Sequence, residues 1–374
     1  MSKNGRGYSM SSEKISSVQF MYIIVVLIVT TADMFPPSIV AVLSGRDAWA
    51  AVLISTVIAL FMIYVFIKLG DMHKDKTLME YAVDLLGRVL GRLTGLLYAG
   101  YFIYLNSIAL RELGEMLKSA FLIKTPITVI LITASIVMCY GVYCGFEAIT
   151  RVIELGFFMG MGLLAFVIIF SIPMADFYEY LPAFENGIMP SLKGALVLLS
   201  YFGESALILM IYPAISNKDK AMPAGLLAVL LLGLILESGT IAIAVFGPIA
   251  TSKILFPALQ LVRMINYAEY FQRLDAIILA LWVVGIMLKL LLLLNTANAC
   301  VCQLGGLKDP KPTIIPLGLL VLSLSELFFD NVSDVYYYLM RSYPYSLFIS
   351  AGIPLLLFIV SFLKGYKFKR TPGT

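Results

Sequence analysis

Two stretches decide the fold of this chain: T-T-A-D-M-F-P-P at residues 30–37 and S-Y-F-G-E-S at residues 200–205. Each sets a carboxylate, Asp33 or Glu204, beside helix-interrupting residues, with apolar sequence running on in both directions. An ionisable group at membrane depth is costly, and backbone freed by a break there must line a cavity or be buried in protein. The two breaks fall at corresponding places, in the first and sixth of ten apolar spans, and matched interruptions of this kind point to a small-solute site at a repeat interface.

The composition agrees. Of 374 residues 60% are hydrophobic and only 13% charged, and the apolar runs recur at the roughly 20-residue length that a bilayer demands. An all-α membrane protein with ten transmembrane helices is expected, with spans near 18–43, 47–69, 93–121, 126–143, 147–172, 188–213, 222–247, 272–302, 313–329 and 344–363. The chain reads as a single transmembrane domain over 1–374: a first five-helix repeat at 1–172, a second at 188–363, and tails at 1–17 and 364–374.

Orientation follows from Lys and Arg, which short cytoplasmic loops retain. One side collects seventeen of the 27, including Lys74, Lys76, Arg151, Lys218 and the C-terminal Lys367, Lys369 and Arg370. The other side holds eight, and its fifth loop is acidic through Asp176, Glu179 and Glu185. Both termini are therefore expected to be cytoplasmic. The net charge of +4 follows from this bias, so membrane lipid and not nucleic acid is the expected partner.

The first apolar run is too long for a signal peptide and lacks an A-x-A-like end, so it reads as a retained span. Cys139, Cys144, Cys300 and Cys302 lie in or at the ends of spans without a nearby His, and read as buried inert thiols. His73, the single histidine, sits in D-M-H-K-D-K and reads as a solvated loop residue. No phosphate loop, metal motif or nucleophile–base pair occurs at recognisable spacing, so neither a cofactor nor an enzyme is expected, and no filter sequence suggests a channel.

The layout repeats although the halves do not align. T-L-M-E-Y-A-V-D-L-L-G-R-V-L (77–90) and F-P-A-L-Q-L-V-R-M-I-N-Y-A-E-Y-F (256–271) both carry apolar residues at helical spacing opposite charges, so each is expected to lie along the interface. Five spans separate them, which puts them on opposite sides of the bilayer, as a five-plus-five inverted repeat with broken helices 1 and 6 requires. The plainer alternative is that long loops carry surface helices in any membrane protein.

Broken helices expose unpaired N–H groups at one half-helix start and unpaired C=O groups at the other half-helix end, a match for a zwitterionic amino acid. The breaks offer Thr30, Thr31, Ala32, Asp33 and Met34 from span one, and Tyr201, Phe202, Gly203 and Glu204 from span six. Pro36 and Pro37 suit the first turn of a restarting helix, where a missing N–H costs nothing. The competing reading is a pair of kinked helices with no ligand role. Tyr98 and Tyr101 of span three share a helix face and either wall the pocket or simply pack. Lys289, in G-I-M-L-K-L-L-L-L-L, sits near the middle of span eight, where an unpaired ammonium costs on the order of 3 kcal/mol or more. It needs a carboxylate, and Asp33, Glu204 and Glu237 are the deep acids available for ion pairing or proton handling. Glu147, Arg151 and Glu154, and likewise Arg111 and Glu115, have the spacing of locally compensated helix faces.

Several motifs together resemble the spore germination permease family, the B subunits of GerA-type nutrient germinant receptors within the amino acid–polyamine–organocation superfamily. They are K-I-S-S-V-Q (14–19), G-R-D-A-W (45–49), L-P-A-F-E-N-G-I-M-P-S-L-K-G (181–194), S-Y-F-G-E (200–204), F-P-A-L-Q-L-V-R (256–263), Q-R-L-D-A (272–276) and Trp282, in an order that covers nearly the whole chain. The resemblance implies a LeuT-like fold, a nutrient pocket between spans one, three, six and eight, and the inner membrane of a bacterial endospore. It also implies two partners, a membrane-bound A subunit and a lipoprotein C subunit. Such folds usually have a small, often Gly-containing break in span one; the acid in T-T-A-D-M-F departs from that and points to a cationic or amine ligand or to proton handling. Two functions follow, a ligand-sensing subunit and a proton-coupled amino-acid permease, and both need the same pocket.

Overall fold

The computed structural model describes residues 14–265 and 274–365, with the side chains of 274 and 275 left aside. Helix α1 (Ser17–Ala32) starts at a capping box, in which Gln19 N–H donates to Ser16 Oγ at 3.1 Å and Ser16 N–H to Gln19 Oε1 at 3.0 Å. It stops where Asp33 leaves helical geometry (φ −98°, ψ 1°). The chain restarts as α2 (Pro36–Ser44), whose first residues are prolines that need no N–H partner. The break thus occupies Asp33, Met34 and Phe35.

Next come α3 (Ala48–Met72) and α4 (Leu78–Ala120). The interfacial stretch expected at 77–90 is the beginning of α4, capped by Thr77 and Glu80, and Gly87 turns it into span three with φ 83° and ψ 174°. That left-handed backbone suits glycine. After α5 (Ile127–Tyr143) and α6 (Phe146–Ser171), the acidic loop leads to α7 (Met189–Gly203), which continues through a 3₁₀ turn at Glu204–Leu207 into α8 (Ile208–Ile211).

Helices α9 (Ala221–Gly239), α10 (Ile241–Phe246), α11 (Pro248–Thr251) and α12 (Pro257–Met264) follow. The second expected surface stretch is helical as far as Met264; its residues 266–271 lie outside the described residues. The chain ends with α13 (Leu274–Gly305), α14 (Lys311–Leu327), α15 (Val332–Arg341) and α16 (Ile353–Leu363), the last preceded by a π-helical turn at Phe348–Gly352. Helix α15, capped by Asn331, was not expected; it bends 96° away from α14.

By length and apolarity, seven stretches among the described residues can cross a membrane, or eight if the bent α14–α15 pair is one span. Helices α1 and α5 are apolar but shorter, at 16 and 17 residues. The centre of the bundle is built by α13 against α4 and by α3 against α7 and α9, while α1 packs on α9, α13 and α6. A short parallel bridge ties the segment before α1 to the end of span six: Ile15 N–H donates to Ala214 O and Ser216 N–H to Ile15 O, both at 2.9 Å. The two irregular spans are therefore fastened together at one end by backbone.

Three expectations need correction. The break in span six is a 3₁₀ turn that does not leave its first amide free, as broken helices were expected to do: Glu204 N–H bonds to the carbonyls of Tyr201 and Phe202. His73 is 6% exposed, stacked on Tyr81 at 4.8 Å and bonded through Nε2 to Ser361 Oγ at 3.1 Å, since α16 and the start of α4 close over its loop. Of the four thiols, Cys300 and Cys302 are buried, whereas Cys139 is half-buried and Cys144 exposed at the end of α5.

Candidate functional site

At the span-six 3₁₀ turn the Glu204 side chain enters the centre of the bundle, 1% exposed. Lys289 of α13, equally buried, meets it there: Nζ lies 2.6 Å from Oε2 and donates to Oε1 at 2.9 Å. A second Lys289 proton goes to Thr31 Oγ1 at 2.6 Å, in the last turn of α1. Tyr343, at the entry to span ten, donates its hydroxyl to Glu204 Oε1 at 2.5 Å. The Tyr201 ring lies under the ammonium at 5.9 Å and stacks obliquely on Tyr343 at 4.9 Å. One network thus joins spans one, six, eight and ten at the places where spans one and six are irregular. A buried ammonium with a carboxylate, a hydroxyl and a ring face around it has its charge and protons accommodated.

Glu112 of α4 is 2% exposed and lies within electrostatic reach of Lys289 and Glu204. Its carboxyl faces the Tyr201 hydroxyl, yet neither Glu112 Oε1 nor Tyr201 Oη has a hydrogen bond of normal geometry. The centre therefore holds one ammonium for two carboxyl groups. Asn106, a turn and a half earlier on α4, donates to Leu290 O at 3.2 Å and pins α4 to α13 beside Lys289.

The remaining sequence candidates are distributed differently. Thr30, one residue before Thr31, faces away from Lys289 into a cavity that Asp33 also lines. No hydrogen bond or ion pair among the described residues joins Asp33 to Lys289 or Glu204. Glu237 stands apart from this network as well, in the last turn of α9, with Oε2 buried and unpartnered among the described residues. Ala32, Met34 and Phe202 are packed in the core. Gly203 is a close-approach glycine, since a Cβ there would meet Ser350 Oγ of span ten at 2.4 Å. Tyr98 donates to Ile349 O at 3.0 Å, in the π-helical turn, and its ring lies 6.2 Å from Tyr101, whose buried hydroxyl faces Ser350 but makes no hydrogen bond of normal geometry among the described residues. Of the two local pairs, Arg111–Glu115 is buried and Glu147–Arg151 exposed, both at 2.7 Å, and Glu154 instead accepts from Gln19 at 3.4 Å.

Sequence reasoning missed Glu112, Tyr343 and Ser350. For Glu112 a signal exists: in R-E-L-G-E, Arg111 and Glu115 share a face and compensate each other, and the residue between them on the next face is left without a local partner. Tyr343 precedes the expected start of span ten, and only tertiary packing brings it to Glu204.

The geometry is that of a LeuT-fold membrane protein with a polar centre between irregular helices. Two solved transporters share the fold. MhsT in complex with L-phenylalanine matches with a TM-score of 0.66 at 16% identity, covering 95% of this chain and 90% of that one. Mhp1, a nucleobase-cation-symport-1 family transporter in a closed conformation with bromovinylhydantoin bound, matches with a TM-score of 0.54 at 12% identity, over 98% and 86%. The family model described as "Spore germination protein" matches residues 14–332, and the chain belongs to that family. Among its relatives are spore germination protein KB of Bacillus subtilis (strain 168), 29% identical over 97% of this chain and 99% of that one, and spore germination protein XB of Bacillus anthracis, 24% identical over 74% and 79%. Neither the family nor the fold relatives are enzymes.

Proposed function

We propose that this chain is the ligand-sensing B subunit of a spore nutrient germinant receptor in the endospore inner membrane, with both termini cytoplasmic. A small nutrient, such as an amino acid, engages the polar centre between the span-one break and the span-six 3₁₀ turn, and the resulting helix shift passes to the A and C subunits. The observation that carries this reading is the Thr31–Lys289–Glu204–Tyr343 network. Its cation is covalently part of the chain, and a ligand offering its own ammonium or carboxylate competes for the same partners. Displacing one bond of the network changes how four spans are tied, which is the kind of differential interaction that shifts a conformational equilibrium. The L-phenylalanine bound by MhsT, a protein of the same fold, supports an amino acid as the ligand class.

One observation favours a second reading, a proton-coupled amino-acid permease: Glu112 supplies a second buried carboxyl group beside the Lys289–Glu204 pair. Two measurements separate the readings. Spores carrying Glu204→Gln should lose or shift their germination response to an amino-acid panel while the protein still accumulates, and the purified protein in liposomes should show no counterflow of radiolabelled amino acid. Robust counterflow would favour the permease; a normal germination dose response in Glu204→Gln would remove Glu204 from the site.

A further inference from the structure

On the other face of α1 from Lys289 lies a cavity of about 350 Å³, walled by α1, α6, α9, α12 and α13. Its walls are almost wholly apolar, with Val26, Phe157, Leu164 and Trp282 among them, and its carboxylate and hydroxyl both come from the end of α1, as Asp33 and Thr30. The Thr30 hydroxyl is buried, in a residue 7% exposed, and has no hydrogen-bond partner among the described residues. The Asp33 carboxylate is met by no cation among the described residues. Lys289, the buried ammonium nearest in sequence to the cavity wall at Leu288, is bonded to Thr31 and Glu204. Two glycines keep this polar end open: a Cβ on Gly285 would meet Thr30 Cγ2 at 2.7 Å, and one on Gly239 would meet Asp33 Oδ1 at 3.1 Å.

A carboxylate facing an apolar chamber of ligand size calls for a positive charge, and an acceptor hydroxyl beside it calls for a donor. An organic ammonium supplies both. We propose that this cavity binds a primary amine with an apolar body, the ammonium between Asp33 and Thr30 and the hydrocarbon along Phe157, Leu164 and Trp282. The site is separate from the Lys289–Glu204 network, and its occupation is a binding question that does not depend on the receptor reading.

The test uses the purified full chain in detergent, with phenethylamine, the uncharged phenethyl alcohol and the anionic phenylacetate as probes in calorimetry and thermal-shift titrations. Phenethylamine is expected to raise the melting temperature and to bind at least about tenfold more tightly than the alcohol, with phenylacetate silent. Asp33→Asn is nearly isosteric and removes the carboxylate, and it should abolish the advantage of the amine over the alcohol. Gly160→Phe, which projects a ring from a cavity-lining position where a Cβ meets open space, should weaken both. Equal affinity for amine and alcohol would mark a groove for lipid or detergent chains and overturn the proposal. So would an unchanged amine preference in Asp33→Asn, or the absence of any amine binding to the unsubstituted protein.

Discussion

Lys289 Nζ lies 2.6 Å from Glu204 Oε2, and the two side chains, from spans eight and six, are 2% and 1% exposed. Burying both charges costs several kcal/mol of desolvation each, which the close approach and added hydrogen bonds offset. Breaking such a pair from one side is worse than removing it whole. Lys289→Met is expected to destabilise the protein by about 3–5 kcal/mol, because Glu204 and Glu112 would then share the centre without a cation. The double variant Lys289→Met/Glu204→Gln should recover a large part of that loss. Thermal unfolding of the purified variants decides it; a Lys289→Met protein as stable as the parent, with unchanged ligand affinity and pH response, would show that the pair holds nothing together.

Tyr343 tests whether span ten belongs to the network. Its hydroxyl reaches Glu204 Oε1 at 2.5 Å, and a hydrogen bond to a charged group contributes about 1.5–3 kcal/mol. Tyr343→Phe keeps the ring against Tyr201 and removes only that bond. A fall in stability of this size, and no further effect when Tyr343→Phe is added to Glu204→Gln, is the expected pattern. Additive losses in the double-mutant cycle would place the role of the hydroxyl elsewhere.

Gly203 sits where spans six and ten touch, and a Cβ would meet Ser350 Oγ at 2.4 Å and Leu347 Cδ2 at 3.3 Å. Gly203→Ala is therefore expected to push the π-helical turn outward and to lower the melting temperature, even though alanine is the better helix former by about 1 kcal/mol. Adding Ser350→Gly opens the space and should restore much of the stability. If Gly203→Ala alone proves stabilising, propensity has won and the close approach is relaxed at little cost.

The sequence shows the membrane class and singles out Glu204 and Lys289, because each is a charged residue in an apolar helix and visible without tertiary information; the LeuT-like architecture is implied by the motif resemblance. Which acid Lys289 would meet was not legible, since three were available and only the 3₁₀ turn aims Glu204 at α13. Thr30 and Thr31 are adjacent in sequence but a helical residue step apart in direction, so Thr31 reaches Lys289 and Thr30 lines the apolar cavity. The break in span six was expected to expose unpaired backbone groups; it is instead a 3₁₀ turn that keeps the Glu204 amide bonded and leaves Gly203 to admit Ser350.

His73 lies just beyond α3, outside the spans, and burial lowers its pKa to about 4, with Lys76 acting in the same direction and Asp84 opposing. Its imidazole is neutral in the folded protein at neutral pH, stacked on Tyr81 and bonded to Ser361. Because the folded pKa is below the unfolded value of 6.5, the unfolded state binds more protons between the two, and stability rises with pH across that window. The contribution is fully present above about pH 6.5, falls as the medium is acidified and is gone below about pH 4. Melting temperatures of the purified protein between these limits should fall more steeply for the parent than for His73→Phe, which keeps the stacking on Tyr81 but carries no titrating group. Parallel curves would mean that the acid sensitivity of the fold lies in other groups, and that the junction of α3, α4 and α16 tolerates a charged imidazole.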